Sequence, residues 1–423
     1  MQEQHREVRL RVVRLDGRPL GWGRSLLRLL DTFLEKMEVL SYPNPPQGPF
    51  PTLQLRLDRS EIPVLETYAR QLSEDSIALY SERYRFEPKE PIIVEIYPNH
   101  EDFVVRSIGM PGVGLLGVTF GYLFAMDSPT AHPAGESYHW GTTLWHEMAH
   151  VFTLEATDHF VPRWLSEGIS VFEEWRTGPT PGVAVPPDAI AALDKKQFLP
   201  IAELDSGFIR PSFPNQVQVS YMQSGLTCLF IEQRWGFERL SALLRQFDRT
   251  RPTAEAIQAT FNISPQEFDK EFDTFVRTRF ANLLANIEDW QRQQQAARQA
   301  IQQERWADGV EPARRAVALY PEHVGSDSPH LLLARALDKL DRRSEAMAAL
   351  EHYRAAGGWN PTALKDLARW LDDAGRATDA TEVMLSLNFV DPLNIQLHAQ
   401  LGERLLAAGR AEDALREFRV LLA

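Results

Sequence analysis

Two histidines and one glutamate have the spacing that metal-dependent hydrolysis needs. His146, Glu147 and His150 lie within the segment 145–152, whose apolar spacing predicts a helix. Residues four apart lie one above the other on a helix face, so the two imidazoles can bind the same metal ion. Glu147 lies beside that ion and not under it. This is the arrangement of a zinc peptidase, in which the glutamate is the general base toward a zinc-bound water.

A catalytic zinc ion needs a third protein ligand and one position left for water. Glu167 is the candidate, because it follows His150 by 17 positions (167 − 150) and this separation lets a second helix turn back alongside the first. Glu174 lies two turns further on the same face, where it can hydrogen-bond the other nitrogen of a ligand histidine. Asp158 is an alternative for that role. Glu173 lies off the face and is expected in solvent.

The paired motif resembles the gluzincin metallopeptidases. Their H-E-x-x-H motif and Trp-Leu-x-Glu-Gly box occur here at 146–150 and 164–168. The resemblance covers roughly residues 52–285 and is closest to the bacterial peptidase-MA-like domains found beside helical repeats. It implies a zincin-like α+β fold, a peptide or protein substrate, and Zn²⁺ as cofactor. The implied zinc ligands are His146, His150 and Glu167.

A tyrosine further along the chain is a candidate for stabilising the oxyanion. In similar gluzincin domains, a Tyr at the start of a later helix points at the metal, and Tyr221 occupies such a place in an apolar helix that opens near Ser220. The alternative is a core tyrosine whose hydroxyl bonds to backbone. The Gly-x-Met-Glu-Asn strand of the aminopeptidase branch is missing, since only Ala125-Met126-Asp127 lies in a similar place. Endo- and exopeptidase action therefore stay open.

A glycine-rich segment, Gly109–Pro129, precedes the zinc helix and contains a predicted strand at Val118–Met126. It could be an edge strand whose backbone pairs with a peptide, which assigns substrate-binding roles to Gly121, Ala125 and Met126. It could equally contain a tight bend or bulge where another backbone approaches.

The elements around these residues predict a mixed α/β domain. The zinc helix is expected to start at Thr142 or Thr143, the next helix follows Pro162, and 175–219 is expected to be mostly irregular. Further strands are expected at 53–57 and 91–97, and further helices at 62–84, after Asn99, at 240–247 and at 265–284.

The chain is expected to have three parts. Residues 1–50 form an N-terminal extension of uncertain fold, with strand spacing at Val8–Leu15, helical spacing at Leu26–Leu40 and a proline-rich end. Residues 51–285 form the metallopeptidase domain. Residues 286–423 form helical repeats.

The C-terminal part resembles tetratricopeptide repeats. Ala346, Ala380 and Ala414 are 34 positions apart (380 − 346 and 414 − 380), which is the period of that repeat. About four units are expected, at 288–324, 327–358, 361–394 and 395–423. The array could dock a protein partner or a substrate, or it could buttress the protease domain. The apolar end of the last unit predicts a truncated array or a dimer contact, and the oligomeric state stays open.

Composition excludes some functions. The net charge of −13 argues against bulk nucleic-acid binding. Cys228 is the single cysteine, so no intrachain disulfide can form. The sequence contains no run of about 18 apolar residues, so no transmembrane helix is expected. Met1–Arg14 is polar and lacks the apolar region of a signal peptide, so the default expectation is a cytoplasmic protein, which an upstream segment would change.

Two functions follow from the sequence. The first is a zinc-dependent peptidase with Glu147 as general base and repeats that dock a partner or substrate. The alternative is a non-catalytic zinc-binding scaffold or adaptor that acts through its repeats. The presence of Glu147 favours the enzyme, because zinc binding alone does not need that residue.

Overall fold

The computed structural model describes residues 36–43, 51–110, 112, 114–133, 138–249 and 251–422. The strand expected at Val8–Leu15 and most of the helix expected at Leu26–Leu40 lie outside these residues. Within the described part, the chain is an α+β domain followed by helical repeats, which confirms the expected fold class.

The α+β domain contains a five-stranded sheet in the order β1-β2-β3-β5-β4. Its strands are β1 (Met37–Pro43), β2 (Pro51–Asp58), β3 (Ile92–Tyr97), β4 (Gly117–Thr119) and β5 (Leu123–Asp127). The strands β2, β3 and β5 are parallel, and the two outer strands pair antiparallel to their neighbours. Leucines at alternate positions of β2 and the β-branched run of β3 are buried, so these strands form the centre of the core.

The N-terminal edge of the sheet corrects one expectation. Helical spacing reaches Leu40, but Met37–Pro43 form β1, which pairs with β2 in the register Leu40↔Leu55. Leu40 and Tyr42 are two positions apart, so they share one face of β1, and both pack against the core. Pairing with β2 decides the conformation here, because tertiary contacts override local periodicity in a short segment. The sheet therefore includes residues from the segment assigned to the extension.

The strand expected at Val118–Met126 is two strands. Gly121 has φ +93°, a conformation that favours glycine, and it turns the chain between β4 and β5. Phe120 N–H donates to the Leu123 carbonyl at 2.8 Å and closes this turn. The segment therefore contains a tight bend at Gly121 and, among the described strands, an outer strand at β4, while pairing of that strand with a peptide stays a prediction.

Helices cover the sheet and form the rest of this domain. They are α1 (Ile62–Tyr84), α2 (His100–Ile108), α3 (Trp140–Glu155), α4 (Arg163–Arg176), α5 (Pro187–Asp194), α6 (Ser206–Ile209), α7 (Gln216–Trp235), α8 (Phe237–Leu244), α9 (Thr253–Phe261), α10 (Pro265–Arg279) and α11 (Ala281–Leu284). Two short helices, α5 and α6, lie within 175–219, and the rest of that segment is mostly irregular, as expected. The helix α3 contacts α1, α4, β4 and β5, so it lies at the centre of the domain.

The start of α3 also differs from the expectation. The helix begins at Trp140, before Thr142 and Thr143, because His139 caps it. The Nδ1 atom of His139 accepts a hydrogen bond from the Thr142 N–H at 3.0 Å. Histidine is an uncommon cap, so the sequence pattern pointed to the threonines instead.

Four helix pairs follow, as the 34-residue period predicts. They are α12 (Ile287–Gln302) with α13 (Trp306–Leu319), α14 (Pro329–Lys339) with α15 (Arg343–Ala355), α16 (Pro361–Asp373) with α17 (Ala377–Leu387), and α18 (Ile395–Ala407) with α19 (Ala411–Val420). They share a hydrophobic core of their own. The last helix, α19, contacts α1. Within the described residues, no helix combines the length with the hydropathy that a bilayer span requires.

Candidate active site

Three side chains converge between α3 and α4. The Nε2 atoms of His146 and His150 are 3.1 Å apart. The Oε2 atom of Glu167 lies 3.3 Å from the first and 3.1 Å from the second. The two histidines share a face because they are four positions apart on α3, and α4 brings Glu167 opposite them. Within the described part of the chain, this is the one group of His, Cys, Asp and Glu side chains arranged as a metal site.

This donor set fits a zinc ion. Nitrogen and oxygen ligands about 2.0–2.1 Å from a tetrahedral zinc lie about 3.3 Å from one another, which is close to the three separations found here. The donors are two imidazole nitrogens and one carboxylate oxygen, all partly or fully buried. The same atoms contact one another across the site. The geometry therefore allows one ion to replace those contacts.

Each histidine is oriented through its other ring nitrogen. The Nδ1 atom of His146 lies 2.5 Å from Glu174 Oε1, the contact expected from the sequence. The Nδ1 atom of His150 lies 2.8 Å from Ser166 Oγ. Such contacts fix the tautomer and the ring plane of a metal-binding histidine. Asp158, the alternative acid, is exposed.

Ser166 was not expected at the site. It occupies the variable position of the Trp-Leu-x-Glu-Gly box, so no motif marks it. Its hydroxyl also lies 2.7 Å from Thr153 Oγ1 on α3, which holds the serine between the two helices. Its place one residue before Glu167 was the signal that could have identified it.

Glu173 is the clearest error among the sequence predictions. Helix periodicity places it in solvent, but its side chain is fully buried. Its Oε1 accepts hydrogen bonds from the Tyr84 hydroxyl at 2.6 Å and from Arg83 Nε at 3.0 Å, and its Oε2 accepts one from Thr177 Oγ1 at 2.8 Å. The end of α1 covers this face of α4 and supplies a cation and one hydroxyl for the buried carboxylate, and Thr177 after α4 supplies a second hydroxyl.

Glu147 points toward the edge strand β4. Its Oε2 accepts a hydrogen bond from Thr119 Oγ1 at 2.6 Å. A Cβ at Gly117 would lie 2.5 Å from Glu147 Oε1, so only glycine leaves room for this carboxylate. Burial raises the pKa of Glu147, and the two neighbouring histidines oppose that shift. Thr119 and Gly117 were not assigned to the site from sequence, and the glycine-rich stretch before the motif was the signal for them.

Residues 73–278 match the family model of the Peptidase MA superfamily. The match contains the three converging side chains, Glu147 and Tyr221, and it supports a peptidase. Among solved structures, the crystal structure of MamA aligns with a TM-score of 0.26 and 18% identity, covering 37% of this chain and 90% of that one. None of the curated proteins matches the chain significantly.

Within the matched residues 73–278, Tyr221 contacts the third candidate ligand. Its hydroxyl donates to Glu167 Oε1 at 3.0 Å, and Arg163 Nε donates to the same atom at 3.3 Å. Tyr221 lies in the second turn of α7 and not at its start, because α7 begins at Gln216. The hydroxyl bonds to a carboxylate and not to backbone, so neither sequence alternative for Tyr221 described this contact.

The charged groups of this site stabilise one another. Burial raises the pKa of Glu167, but His150 and His146 outweigh it and hold that pKa well below its ordinary value. Burial lowers the pKa of His146, but hydrogen bonds to Glu167 and Glu174 outweigh it and hold that pKa well above its ordinary value. The site therefore favours charged carboxylates beside the protonated imidazole of His146, a cation that a metal ion would replace, since a histidine binds a metal in its neutral form.

Two glycines set the distance between α4 and α7. A Cβ at Gly168, the glycine of the box, would lie 2.8 Å from the Ser224 carbonyl oxygen. A Cβ at Gly225 would lie 2.6 Å from Val171 Cγ1. The missing side chains let the two helices approach closely. This approach brings Tyr221 within reach of Glu167.

The positions of Gly121, Ala125 and Met126 support only in part the expectation that they bind substrate. Ala125 and Met126 are buried in β5, which has β3 on one side and β4 on the other, so their backbone offers no free edge. Gly121 lies in the turn beyond β4. The outer edge of the sheet on this side is β4 itself, which carries Gly117 and Thr119 beside Glu147.

Glu174 lies at the boundary between the α+β domain and the repeats. It lines a cavity of about 590 Å³, together with Trp175 and Met222 from the domain and Val324 and Trp359 from the repeats. The carboxylate that orients His146 therefore borders a space that the repeats help to enclose.

Proposed function

We propose that the chain is a zinc-dependent peptidase. His146, His150 and Glu167 would hold Zn²⁺, and Glu147 would act as general base. The observation that carries this proposal is the convergence of two Nε2 atoms and one carboxylate oxygen within 3.1–3.3 Å, beside a fourth side chain, Glu147, which those contacts do not use. A purely structural zinc site needs no such carboxylate.

The residues around the site would have separate roles in peptide hydrolysis. When bound, zinc would supply Lewis-acid polarisation of the carbonyl and would lower the pKa of a water. Glu147 takes a proton from the attacking water and passes it to the leaving amine. Thr119 holds Glu147 by one carboxylate oxygen, which leaves the other for the reaction. Tyr221 would supply a hydrogen bond to the oxyanion.

The substrate would be a peptide or protein in extended form. Among the residues that the structure describes, β4 is the outer strand of the sheet nearest Glu147, so its backbone can pair with a peptide strand. The repeats would bring a substrate or a partner to the site, because stacked helix pairs present extended binding surfaces. We propose a metallopeptidase domain that ends at residue 285 and includes β1 in addition to 51–285, with the repeats at 286–423.

The first experiment combines metal analysis with a peptide-library digest that is read by mass spectrometry. We expect equimolar zinc and cleavage at defined peptide bonds. Glu147→Gln is the matched control: it should retain zinc but lose activity by a factor of at least about 10². Glu167→Ala should lower the zinc content.

Other outcomes would contradict the proposal in distinguishable ways. Equimolar zinc without cleavage of any peptide would favour the non-catalytic scaffold. Full activity in Glu147→Gln would exclude its role as base. Unchanged zinc in Glu167→Ala would exclude it as the third ligand.

A further inference from the structure

The first residue of α3 bonds to the repeats and not only to its own domain. The backbone N–H of Trp140 donates to the Phe389 carbonyl at 3.1 Å. The indole Nε1 of the same residue donates to the Asn388 carbonyl at 2.9 Å. Both Trp140 and Asn388 are fully buried. The first N–H groups of a helix have no partner within that helix, so the repeats satisfy one of them.

The ring of Phe389 fits against the same turn of α3. A Cβ at Gly141 would lie 2.6 Å from Phe389 Cδ1, so the missing side chain makes room for the ring. The ring also stacks on His139 with a centroid separation of 5.9 Å and an interplanar angle of 15°. Since His139 caps α3 through Thr142 N–H, Phe389 contacts both the helix and its cap.

The turn that carries these contacts is itself fixed by a buried polar network. Asn388 Nδ2 donates to the Tyr68 hydroxyl at 2.6 Å and to Glu417 Oε1 at 3.3 Å. Glu417 Oε2 lies 2.6 Å from His398 Nδ1. These groups come from α1 and from the last repeat unit, and Glu417 and His398 are almost fully buried. The 388–389 turn therefore has a defined position relative to the α+β domain.

We propose that the 388–389 turn is a positioning element for the metal site, with Phe389 as its positioning residue. This inference rests on the metal site of the proposed function. His146 follows Gly141 by five positions (146 − 141) on the same helix, and Glu167 lies on another helix. A displacement of the first turn of α3 moves both imidazoles relative to Glu167. Part of the affinity for zinc therefore depends on contacts made by the repeats.

The test measures zinc dissociation from folded, full-length protein with a chromophoric chelator, well below the unfolding temperature. Phe389→Ala removes the ring and should release zinc about 3- to 10-fold faster, a smaller effect than loss of a residue that bonds a ligand histidine directly. Gly141→Ala places a methyl group where the ring lies and should release zinc faster as well. Alanine has a higher helix propensity than glycine, so faster zinc release would come from the clash between the new methyl group and the Phe389 ring and not from a weaker helix.

The double variant Gly141→Ala/Phe389→Ala removes the collision. It should release zinc more slowly than Gly141→Ala alone, which a general loss of stability would not produce. Leu350→Ala is the matched control, because Leu350 is buried in the repeat core. It should lower the unfolding temperature but leave zinc dissociation unchanged.

Two results would overturn the inference: zinc release from Phe389→Ala at the wild-type rate, or equal acceleration in Phe389→Ala and Leu350→Ala. If Gly141→Ala does not fold, the comparison between those two variants decides alone. A wild-type protein that binds no zinc would contradict the metal site itself and not the role of the turn.

Discussion

The Tyr221 hydroxyl donates a hydrogen bond to Glu167 Oε1 at 3.0 Å. One side chain can therefore serve in two ways. It can hold the carboxylate in place as a ligand, or it can turn to a developing oxyanion during hydrolysis. These roles predict different kinetics, because only the second is specific to the transition state.

Tyr221→Phe is expected to lower kcat by about 10²-fold at unchanged zinc content, since one oxyanion donor contributes about that factor. The measurement is steady-state kinetics on a cleaved library peptide, with zinc quantified in the same sample. A variant that loses zinc but keeps the kcat of its loaded fraction would show that the hydroxyl only holds Glu167.

Glu174→Ala should weaken zinc binding by about 10- to 100-fold, because its carboxylate orients His146 from the ring nitrogen opposite the metal. Competition with a chelator of known affinity measures the change. Glu174→Gln retains an oxygen that can accept the same hydrogen bond and should recover part of the affinity. Equal weakening by both variants would show that charge, and not orientation, is what Glu174 supplies.

The sequence was sufficient for residues whose roles depend on helix periodicity. His146, His150 and Glu174 lie where their spacing predicts, because about 3.6 residues per turn fix which side chains share a face of an α-helix. Periodicity does not say what covers the other faces. Glu173 is buried by Tyr84, a residue 89 positions away, and Glu147 is held by Thr119, 28 positions away. Local patterns carry no signal for such partners.

At the scale of elements, α1 and α4 are joined through the buried Glu173. Glu173→Gln keeps the size of the side chain but removes the charge that faces Arg83. We expect the free energy of unfolding to fall by about 2 kcal/mol, the range for a hydrogen bond to a charged group. Urea denaturation measures this loss, and zinc affinity should not change. The neighbouring Glu174→Ala should weaken zinc binding but leave the free energy of unfolding nearly unchanged. A large loss of zinc affinity in Glu173→Gln would contradict these separate roles of the two glutamates.

Element types were easier to predict than element boundaries. The helix at Ile62–Tyr84 and the strand at Ile92–Tyr97 follow from long, consistent patterns. The strand β1 did not, because its conformation depends on pairing with β2. The turn at Gly121 divided a run that reads as one strand, since apolar spacing alone does not locate a positive φ.

At the scale of the whole molecule, burial of His139 couples the contact with the repeats to pH. Burial lowers its pKa from 6.5 to about 3. Its contacts with Thr180, Trp359 and Phe389 are with uncharged groups. Between these pH values the unfolded chain binds a proton that the folded chain does not. The contribution of neutral His139 to the free energy of unfolding is therefore complete above pH 6.5 and is lost as the pH falls toward 3.

We expect the free energy of unfolding of the zinc-free protein to fall by about 2 kcal/mol from pH 7 to pH 5 through His139 alone. His139→Asn retains a side chain that can cap α3 but does not titrate. The difference in unfolding free energy between wild type and variant, measured with urea at both pH values, isolates this contribution. A difference that does not change with pH would show that His139 is protonated in the folded protein.

The 34-residue period predicted the repeats but not where they contact the rest of the chain. That location depends on single pairs such as Trp140 with Asn388, and no periodicity encodes them. The sequence therefore left docking and buttressing as equal alternatives for the repeats. The contacts at the 388–389 turn favour a buttress that includes the metal helix.

The contacts between α3 and the 388–389 turn can form only late in synthesis, because the ribosome makes α3 long before the repeats. Trp140 precedes Asn388 by 248 positions, and Tyr68 precedes Glu417 by 349. At about 5–20 residues per second, the nascent α3 waits about 12–50 s for the turn that completes its first residues. During that interval, the emerging domain has its proposed metal ligands but not the support of the repeats. Stable loading of the metal is therefore expected late in synthesis, after most of the repeats have emerged.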